Sequence, residues 1–192
     1  MRQASEERTN REVLHEIALG EYGLVSTRDA QDEGIDPVEL RKLAVRGALK
    51  RVGHGLYRDH AVPATDLDQY ALAVRLVGDD AFLMGASVLA MHDLALVNPS
   101  RVTVGTPHRI WRTLPAFVHA VHRELPAQAL TVHEGIPSTT IAQAIADCME
   151  AVMGARLREA INEAGRRHLL TQREQKALRA RLGRRNMEAH RG

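Results

Sequence analysis

The positively charged residues of the N-terminal part of the chain are concentrated in one segment. Residues 1–40 contain ten acidic and four basic residues, whereas residues 41–58 contain six basic residues and no Asp or Glu. The six are Arg41, Lys42, Arg46, Lys50, Arg51 and Arg58. Lys and Arg side chains neutralise phosphate groups, and this interaction dominates the affinity of proteins for DNA. The segment therefore predicts non-covalent binding of nucleic acid.

Residue types that bind metals or act as nucleophiles are present, but their spacing does not suit those roles. His119 and His122 form an H-x-x-H pair, yet on a predicted strand the two side chains point to opposite faces. The single cysteine, Cys148, falls on the apolar face of a predicted helix and is expected in the core. A restriction-like nuclease is disfavoured because no lysine lies between Lys50 and Lys176. We expect no catalytic residue, no metal site and no cofactor.

A cluster of hydroxyl side chains leaves two alternatives open. Ser138, Thr139 and Thr140 precede an apolar helical pattern. Capping of that helix is the simplest role for them. Contact with a phosphate at the helix N-terminus is the other role, although no glycine-rich phosphate loop accompanies them.

Three helices with strong start signals are predicted to position the basic segment. Thr9 to Glu12 has the form of a capping box, and the helix that it begins extends to Gly20. Ser26 or Thr27 caps a short second helix that ends before Gly34. Asp36 caps the third helix, with Pro37 at the first helical position and Glu39 completing a capping box. This helix is predicted to end at Arg46, just before Gly47. We expect Val38, Leu40, Leu43 and Ala44 to be buried to varying degrees. The last two helices form a predicted helix-turn-helix.

A hairpin follows the third helix and completes a winged helix-turn-helix. Leu49–Val52 and Leu56–Arg58 are predicted strands that flank Gly53-His54-Gly55, and Leu24-Val25 is a short extended segment expected to pair with them. An ordinary solvated helix and hairpin is the simpler interpretation of these charges, but their ordered succession favours DNA. The residues expected at the DNA interface are Thr27, Arg28, Asp36, Pro37, Glu39, Arg41, Lys42, Arg46, Lys50, Arg51, His54 and Arg58.

The sequence predicts a domain boundary in the polar segment around Pro63. Residues 1–62 are the expected DNA-binding domain, and residues 63–192 are an expected α+β domain of helices and a small, largely antiparallel sheet. Its predicted elements include a helix over residues 81–92 and three strands over residues 101–104, 117–122 and 130–133. The overall fold class is therefore α+β.

The C-terminal part of the chain is predicted to be helical and is strongly basic. A capped helix is expected from Thr171 to Leu182, and the last ten residues are expected to be disordered. The positive charge belongs to a solvated amphipathic helix and tail, to a second phosphate-contacting element, or to a docking surface for an acidic partner, and the sequence does not separate these. The basic residues are Arg166, Arg167, Arg173, Lys176, Arg179, Arg181, Arg184, Arg185 and Arg191.

Composition gives an expectation about cellular location. The net charge of +2 suggests no partner by itself, and with one cysteine no disulfide can form within the chain, which fits a reducing compartment. Neither a signal peptide nor a run of eighteen apolar residues is found. We therefore expect a cytoplasmic protein without a membrane partner.

Several short motifs occur in an order that resembles a known family. They are the Gly-Leu-x-x-Thr segment Gly23–Thr27, the Gly-x-Gly-x-Tyr wing Gly53–Tyr57, the helix around Gly85–His92, the strand Arg101–Val104, and the segment Glu134–Thr140 that leads to Asp147. This ordered set resembles the AbiEi-type antitoxins, which are transcriptional regulators of bacterial type IV toxin-antitoxin systems. The resemblance covers roughly residues 8–165.

The resemblance implies a two-part protein. Its winged domain would repress its own operon by binding inverted repeats in double-stranded operator DNA, and its second domain would neutralise a cognate nucleotidyltransferase-like toxin, directly or indirectly. The residues alone predict only a DNA-binding wing and a separate α+β domain. A winged-helix regulator or a nucleic-acid-processing enzyme unrelated to toxin control is the alternative, and the oligomeric state is left open.

Overall fold

The structure is a computed structural model that describes residues 8–94 and 97–189. The chain divides into two compact units, Met1–Leu76 and Val77–Gly192. The elements of the first unit are α1 (Asn10–Gly20), β1 (Leu24–Ser26), α2 (Thr27–Asp32), α3 (Pro37–Val45), β2 (Leu49–Gly53), β3 (Leu56–Asp59) and all but the last residue of α4 (Asp68–Val77).

The first three helices begin at capping residues. Thr9 and Glu12 form the predicted capping box of α1, and Ser26 forms a second box with Asp29 at the start of α2. Asp36 caps α3 by accepting a hydrogen bond from the amide of Val38, at 2.8 Å. The predicted box in α3 is wrong in one detail, because the carboxylate of Glu39 accepts a hydrogen bond from Lys42 rather than closing back onto the cap.

Glycines in the left-handed conformation follow the ends of α2 and α3. Gly34 and Gly47 have φ values of +71° and +78°, the left-handed conformation predicted for both positions. After Gly47 the amide of Ala48 donates to the carbonyl of Leu43 at 3.0 Å, which satisfies an end carbonyl of α3. The chain can therefore turn directly from α3 into the first strand of the hairpin.

The three strands form an antiparallel sheet in the order β1-β3-β2. The predicted pairing of the segment at Leu24 with the hairpin is confirmed, since Leu24 lies opposite Arg58. Within the hairpin only Gly55 has a positive φ, +63°, so the backbone conformation does not explain Gly53. A Cβ atom on Gly53 would lie 2.5 Å from Cδ2 of Leu76 in α4. This glycine lets α4 approach the hairpin closely.

The core of the first unit lies between the helices and one face of this sheet. Leu14, Val25, Leu40 and Tyr57 are buried there. Of the four residues of α3 expected to be buried to varying degrees, Val38 is the most exposed, at 38%.

Helix α4 belongs to the compact first unit, although it follows the boundary predicted at residue 62. Besides the contact of Leu76 with Gly53, Arg58 pairs with Asp68 and Arg75 pairs with Asp29. These interactions attach α4 to both the hairpin and α2. The Pro63 segment therefore connects parts of one unit.

The second unit combines a five-stranded sheet with helices. Its elements are β4 (Phe82–Leu83), α5 (Ala86–Met91), β5 (Val102–Thr106), β6 (Val118–His122), a 3-10 turn (Ala127–Ala129), β7 (Leu130–His133), β8 (Ile136–Thr139), α6 (Ile141–Asp147), α7 (Gly154–Arg166) and α8 (Gln172–Ala189).

The sheet of the second unit is mixed rather than largely antiparallel. Its strand order is β6-β5-β4-β8-β7. In this part of the structure β4 with β5 and β7 with β8 are antiparallel pairs, whereas β4 with β8 and β5 with β6 are parallel pairs. The three predicted strands are present as β5, β6 and β7, and the α+β fold class is confirmed.

The helix predicted over residues 81–92 is wrong in its first half. Phe82–Leu83 form β4 in the middle of the sheet, and α5 begins only after Gly85, whose φ is +57°. The small residues nearby permit close packing, because Gly105 lies opposite Phe82 and a Cβ atom there would meet the Phe82 ring at 2.5 Å. Ser87 is fully buried and accepts a hydrogen bond from the amide of Thr103 at 2.7 Å.

The C-terminal helices bury the predicted apolar faces. Leu157, Ala160, Ile161 and Ala164 of α7 are fully buried. Helix α8 continues to Ala189, so the disorder predicted from residue 183 onward is wrong for residues 183–189. Residues 190–192, which include Arg191, lie outside the described residues. None of the helices within residues 8–94 and 97–189 is long and apolar enough to cross a membrane.

Candidate nucleic-acid interface

The outer face of α3 carries cationic and apolar side chains together. Val38, Arg41, Lys42, Val45 and Arg46 are exposed and line a shallow groove of 370 Å³. These positions recur at the helical spacing of three and four residues, whereas Leu40 faces the core. The helix therefore presents a face of mixed character that its own unit does not cover.

Two of the predicted interface residues at the start of α3 have structural roles. Asp36 supplies the cap, and Pro37 occupies the first helical position, where its missing N–H costs no hydrogen bond. Glu39 pairs with Lys42 at 2.7 Å. This pair partly neutralises Lys42. Arg41 in α3 and Arg46 at its C-cap are cations for which the structure gives no acidic partner among the described residues.

The start of α2 is held by the hairpin. The amide of Thr27 donates to the carbonyl of Gly55 at 2.8 Å. A Cβ atom on Gly55 would lie 2.9 Å from Oγ1 of Thr27, so both the positive φ and the space require glycine. Arg28 follows on the exposed surface of α2. The hairpin thus fixes the start of α2 relative to the sheet.

The basic residues of β2 lie on opposite faces of the sheet. Leu49 belongs to the core between the sheet and the helices, and alternation along the strand places Arg51 on the same face and Lys50 on the other. Both side chains are exposed. Arg51 also donates through Nε to the carbonyl of Gly53 at 3.1 Å, and His54 is exposed at the tip of the hairpin. Arg51 therefore shares the face of the sheet that carries α3.

Arg58 is engaged within the first unit. Its Nη2 lies 2.6 Å from Oδ2 of Asp68, its Nη1 donates to the carbonyl of Tyr22 at 2.9 Å, and its side chain is only 20% exposed. A guanidinium held by a carboxylate and a carbonyl has less charge to offer a phosphate than an unpaired one. Of the six basic residues in the segment, Arg58 is the one most committed to internal structure.

A buried carboxylate ties α1 to the end of the hairpin. Asp59 is fully buried and accepts two hydrogen bonds from Arg11, at 2.6 and 2.9 Å, one from the Ala61 amide at 2.9 Å, and a contact of 2.8 Å from Nδ1 of His15. Burial raises the pKa of Asp59, but the hydrogen bonds from Arg11, Ala61 and His15 outweigh it and hold the pKa well below its usual range. The carboxylate is therefore charged at neutral pH.

The second unit contains a cavity of 560 Å³ with acidic and basic residues in its wall. Asp79, Asp80, Arg123 and Glu124 line it, together with Ser138. Ser138 lies in β8, and its buried hydroxyl makes no hydrogen bond within the described part of the chain. The helix cap is instead Thr140, which accepts a hydrogen bond from the amide of Gln143 at 3.3 Å, as the capping alternative predicted.

An exposed tryptophan marks a different surface of the second unit. Trp111 is the single tryptophan of the chain, lies in the connection between β5 and β6, and is 87% exposed. Arg109 beside it is also exposed, and residues 94–123 contain no Asp or Glu. A large exposed aromatic residue flanked by arginine is typical of a surface that binds a macromolecule.

Several of the basic C-terminal residues make hydrogen bonds or ion pairs within the second unit. Arg167 donates to the carbonyl of His92 at 2.6 Å, Arg179 to Asn162 at 2.9 Å, and Arg185 to the carbonyl of Val152 at 2.9 Å. Arg166 pairs with Glu163. Part of this charge therefore holds the helices of the second unit together, a role that sequence reasoning missed.

The candidate nucleophile and metal ligands lie apart from one another. Cys148 is buried, and burial, aided by the negative charge of Asp147, raises the pKa of its thiol to about 11, which keeps it protonated. His119 and His122 lie in β6 on opposite faces of the strand, and Nε2 of His122 is 2.9 Å from the carbonyl of Pro107. No group of three or more potential metal ligands occurs in residues 8–94 and 97–189.

The first unit is a winged helix-turn-helix domain with a cationic outer helix. Residues 12–58 match a family whose description is "Transcriptional regulator, AbiEi antitoxin". The resemblance predicted from the sequence is confirmed over this segment, which extends from α1 to the end of the wing. The description names a regulator and antitoxin and no enzymatic activity. A comparison with curated proteins found no match.

Proposed function

We propose that the chain is a DNA-binding antitoxin that represses its own operon through the first unit. The observation that carries this proposal is the exposed cationic face of α3 beside Arg51 of the wing, within the segment that matches the AbiEi regulator family. A helix of this kind fits the major groove of B-DNA, and a cation on the wing neutralises a phosphate beside it. The binding site is an inverted repeat in double-stranded operator DNA.

The contact residues in this proposal differ in their roles. Arg41, Lys42 and Arg46 contact DNA from α3, and Lys50, Arg51 and His54 are the contacts offered by the wing. Thr27 and Arg28 lie at the start of α2, where a winged domain approaches the backbone. Asp36, Pro37, Glu39 and Arg58 act by shaping these elements, because each is used in a cap, in an ion pair or in a hydrogen bond of the unit.

The second unit is proposed to neutralise a nucleotidyltransferase-like toxin without catalysis. The resemblance noted in the sequence after residue 66 is the ground for this role, and Trp111 with Arg109 offers a surface suited to a protein partner. A cytoplasmic location is part of the same proposal, because operator DNA in a bacterium lies in the cytoplasm.

One experiment tests each half of the proposal. The full-length protein should shift a duplex from the region upstream of its own gene at lower concentration than an unrelated duplex of equal length. Its affinity should fall steeply with salt, as expected for several phosphate contacts. Equal affinity for both duplexes at every salt concentration would contradict sequence-specific repression.

The antitoxin half is tested in cells. A neighbouring gene that encodes a nucleotidyltransferase-like protein should arrest growth when it is expressed alone, and co-expression of this chain should restore growth. Failure of a well-expressed chain to restore growth would leave a regulator unrelated to toxin control.

A further inference from the structure

Two valines lie on the outer face of α3, and neither belongs to the buried core of the first unit. Val45 is 89% exposed and Val38 is 38% exposed. β-Branched residues are poorer helix formers than the straight-chain residues around them, and Val45, which is almost fully exposed, recovers little of that cost by packing. An exposed apolar residue is ordinary when it stands alone. These two lie on one helix face and share one groove.

The spacing of the two valines matches the geometry of the major groove. They are seven residues apart, which is about two helical turns and about 10.5 Å along the axis. Successive bases along one strand of B-DNA are separated by about 3.4 Å along the helix axis. Side chains on one line of a helix in the groove therefore reach positions up to about three base pairs apart, and inclination of the helix to the DNA axis shortens this separation.

The chemistry of the groove selects one base. Among the base edges exposed in the major groove, the C5-methyl group of thymine is the apolar feature, and apolar side chains contact it. Arg41 and Lys42 lie on either side of the line between the valines. These cations hold the helix against polar and charged groups while the valines contact methyl groups.

We propose that Val38 and Val45 recognise two thymine methyl groups about three base pairs apart in each half-site. This inference rests on the proposed binding of operator DNA. Basic residues supply most of the affinity by contacting phosphates, whereas the valines contribute to the choice of sequence. Sequence reasoning assigned Val38 to the core and gave Val45 no role, so neither residue was among the predicted contacts.

The experiment replaces thymine by uracil, which removes only the methyl group. The probe is a duplex that the full-length protein selects from a random-sequence pool, resynthesised with deoxyuridine at one thymine position at a time. Uracil at each of two positions per half-site should weaken binding roughly fourfold, the effect of exposing one buried methyl group. Uracil at the other positions should leave the affinity unchanged.

Variants then connect each methyl group to its residue. Val45→Ala should weaken binding to the thymine duplex by roughly fourfold or more, because it removes two methyl groups, and should abolish the further loss caused by uracil at one position. Val38→Ala should do the same at the other position. Val132→Ala is the control, because Val132 is also a largely exposed valine, at 64%, but lies in the second unit; it should leave the uracil effects intact.

The outcomes separate this inference from the function on which it rests. If the wild-type protein selects no sequence and shows no DNA affinity, the proposed function fails. If it binds a selected sequence with equal affinity whether thymine or uracil is present, the valines do not recognise methyl groups. If Val45→Ala instead changes the oligomeric state in light scattering and leaves the uracil effects intact, the groove is a contact between copies of the chain and the inference is overturned.

Discussion

Arg58 in the wing and Asp68 at the first residue of α4 form an ion pair with 2.6 Å between Nη2 and Oδ2. The pair connects the matched family segment to a helix that lies beyond it. Leu76 at the other end of α4 packs where Gly53 leaves room for it. The helix thus supports the wing from a part of the chain that follows the Pro63 segment.

A fragment of residues 1–77 should consequently be more stable than a fragment of residues 1–62. The shorter fragment leaves Arg58 and Asp29 without their partners on α4 and exposes apolar surface of the hairpin. Leu76 alone, when buried, contributes on the order of 2 kcal/mol. Chemical denaturation followed by circular dichroism measures the difference, and equal midpoints would show that α4 adds nothing to the winged domain.

The two cations of β2 should contribute unequally to DNA binding. Arg51 lies on the face of the sheet that carries α3, whereas Lys50 lies on the other face. Arg51→Ala should therefore reduce the slope of log affinity against log salt by about one unit, the effect of one lost phosphate contact. Lys50→Ala is the matched control and should change the slope less. A larger effect for Lys50 in gel-shift titrations would reverse the orientation proposed for the wing.

Replacement of Asp59 should destabilise the first unit. Asp59→Asn leaves Arg11 without its carboxylate partner, and we expect a loss on the order of 2 kcal/mol because Arg11 is partly exposed. Asp80→Asn is the control, since Asp80 is an exposed partner of a histidine, and it should stay within about 0.5 kcal/mol. Calorimetric unfolding of the full-length variants measures both, and equal effects would remove Asp59 from this role.

The pH dependence of the Asp59 contribution follows from the sign of its pKa shift. The pKa of Asp59 is lowered in the folded state, so the charged form stabilises the unit above the unfolded pKa of about 4. As the pH falls below about 4, the unfolded state takes up a proton before the folded state does, and stability is lost. The Asn variant should lack this loss.

Much of the first unit was predictable because its signals are local. Thr9 with Glu12 and Asp36 with Pro37 mark helix starts by hydrogen-bond chemistry confined to a few residues, and Gly34 and Gly47 mark the ends by their φ values. The function of Arg58 was not predictable in this way. Its partner Asp68 lies across the Pro63 segment, so the pairing depends on tertiary structure.

In the second unit, the hydrophobic pattern of the sequence did not predict every helix and strand correctly. Residues 81–92 are almost uniformly apolar, so a buried two-residue strand followed by a helix has the same pattern as one long helix. Ser138, Thr139 and Thr140 were assigned to the start of a helix, but Ser138 and Thr139 lie in β8 and only Thr140 caps the helix. The exposure of Val45 also depends on which elements pack against α3, which composition does not specify.

The second unit should lose stability at a higher pH than the first. His92 is buried, and its pKa is lowered from 6.5 to about 4, mainly by this burial. The positive charges of His133 and Arg167 lower the pKa further, whereas the negative charge of Asp93 raises it by a smaller amount. Between these values the unfolded state binds a proton that the folded state does not, so stability falls as the pH decreases from about 6.5 towards 4. The full effect is at most about 3 kcal/mol.

The variant His92→Gln tests this window without adding a charge. Its unfolding free energy should vary less with pH between about 6.5 and 4 than that of the wild type, because a neutral side chain does not titrate. His108→Gln is the control, since His108 is exposed in the same unit. Unchanged pH dependence in the His92 variant, measured by calorimetry, would assign the acid sensitivity to another group.

Trp111 should be needed for toxin neutralisation and not for DNA binding. The ring is 87% exposed, so Trp111→Ala removes little packing and should leave the fold intact. An aromatic residue at the centre of an interface often contributes 2 kcal/mol or more, roughly a thirtyfold change in affinity. We therefore expect the variant to bind operator DNA as the wild type does, and to restore growth poorly when it is co-expressed with the toxin.

Met153 provides the control for that experiment, because it is another exposed apolar residue of the second unit. It lies at the N-cap of α7, far along the chain from the β5–β6 connection that carries Trp111. Met153→Ala should restore growth as fully as the wild type at matched expression. Full rescue by Trp111→Ala would exclude this surface from neutralisation. Loss of operator binding in the same variant would mean that the substitution disturbs the whole chain, because the proposed DNA contacts all lie between Thr27 and His54 in the first unit.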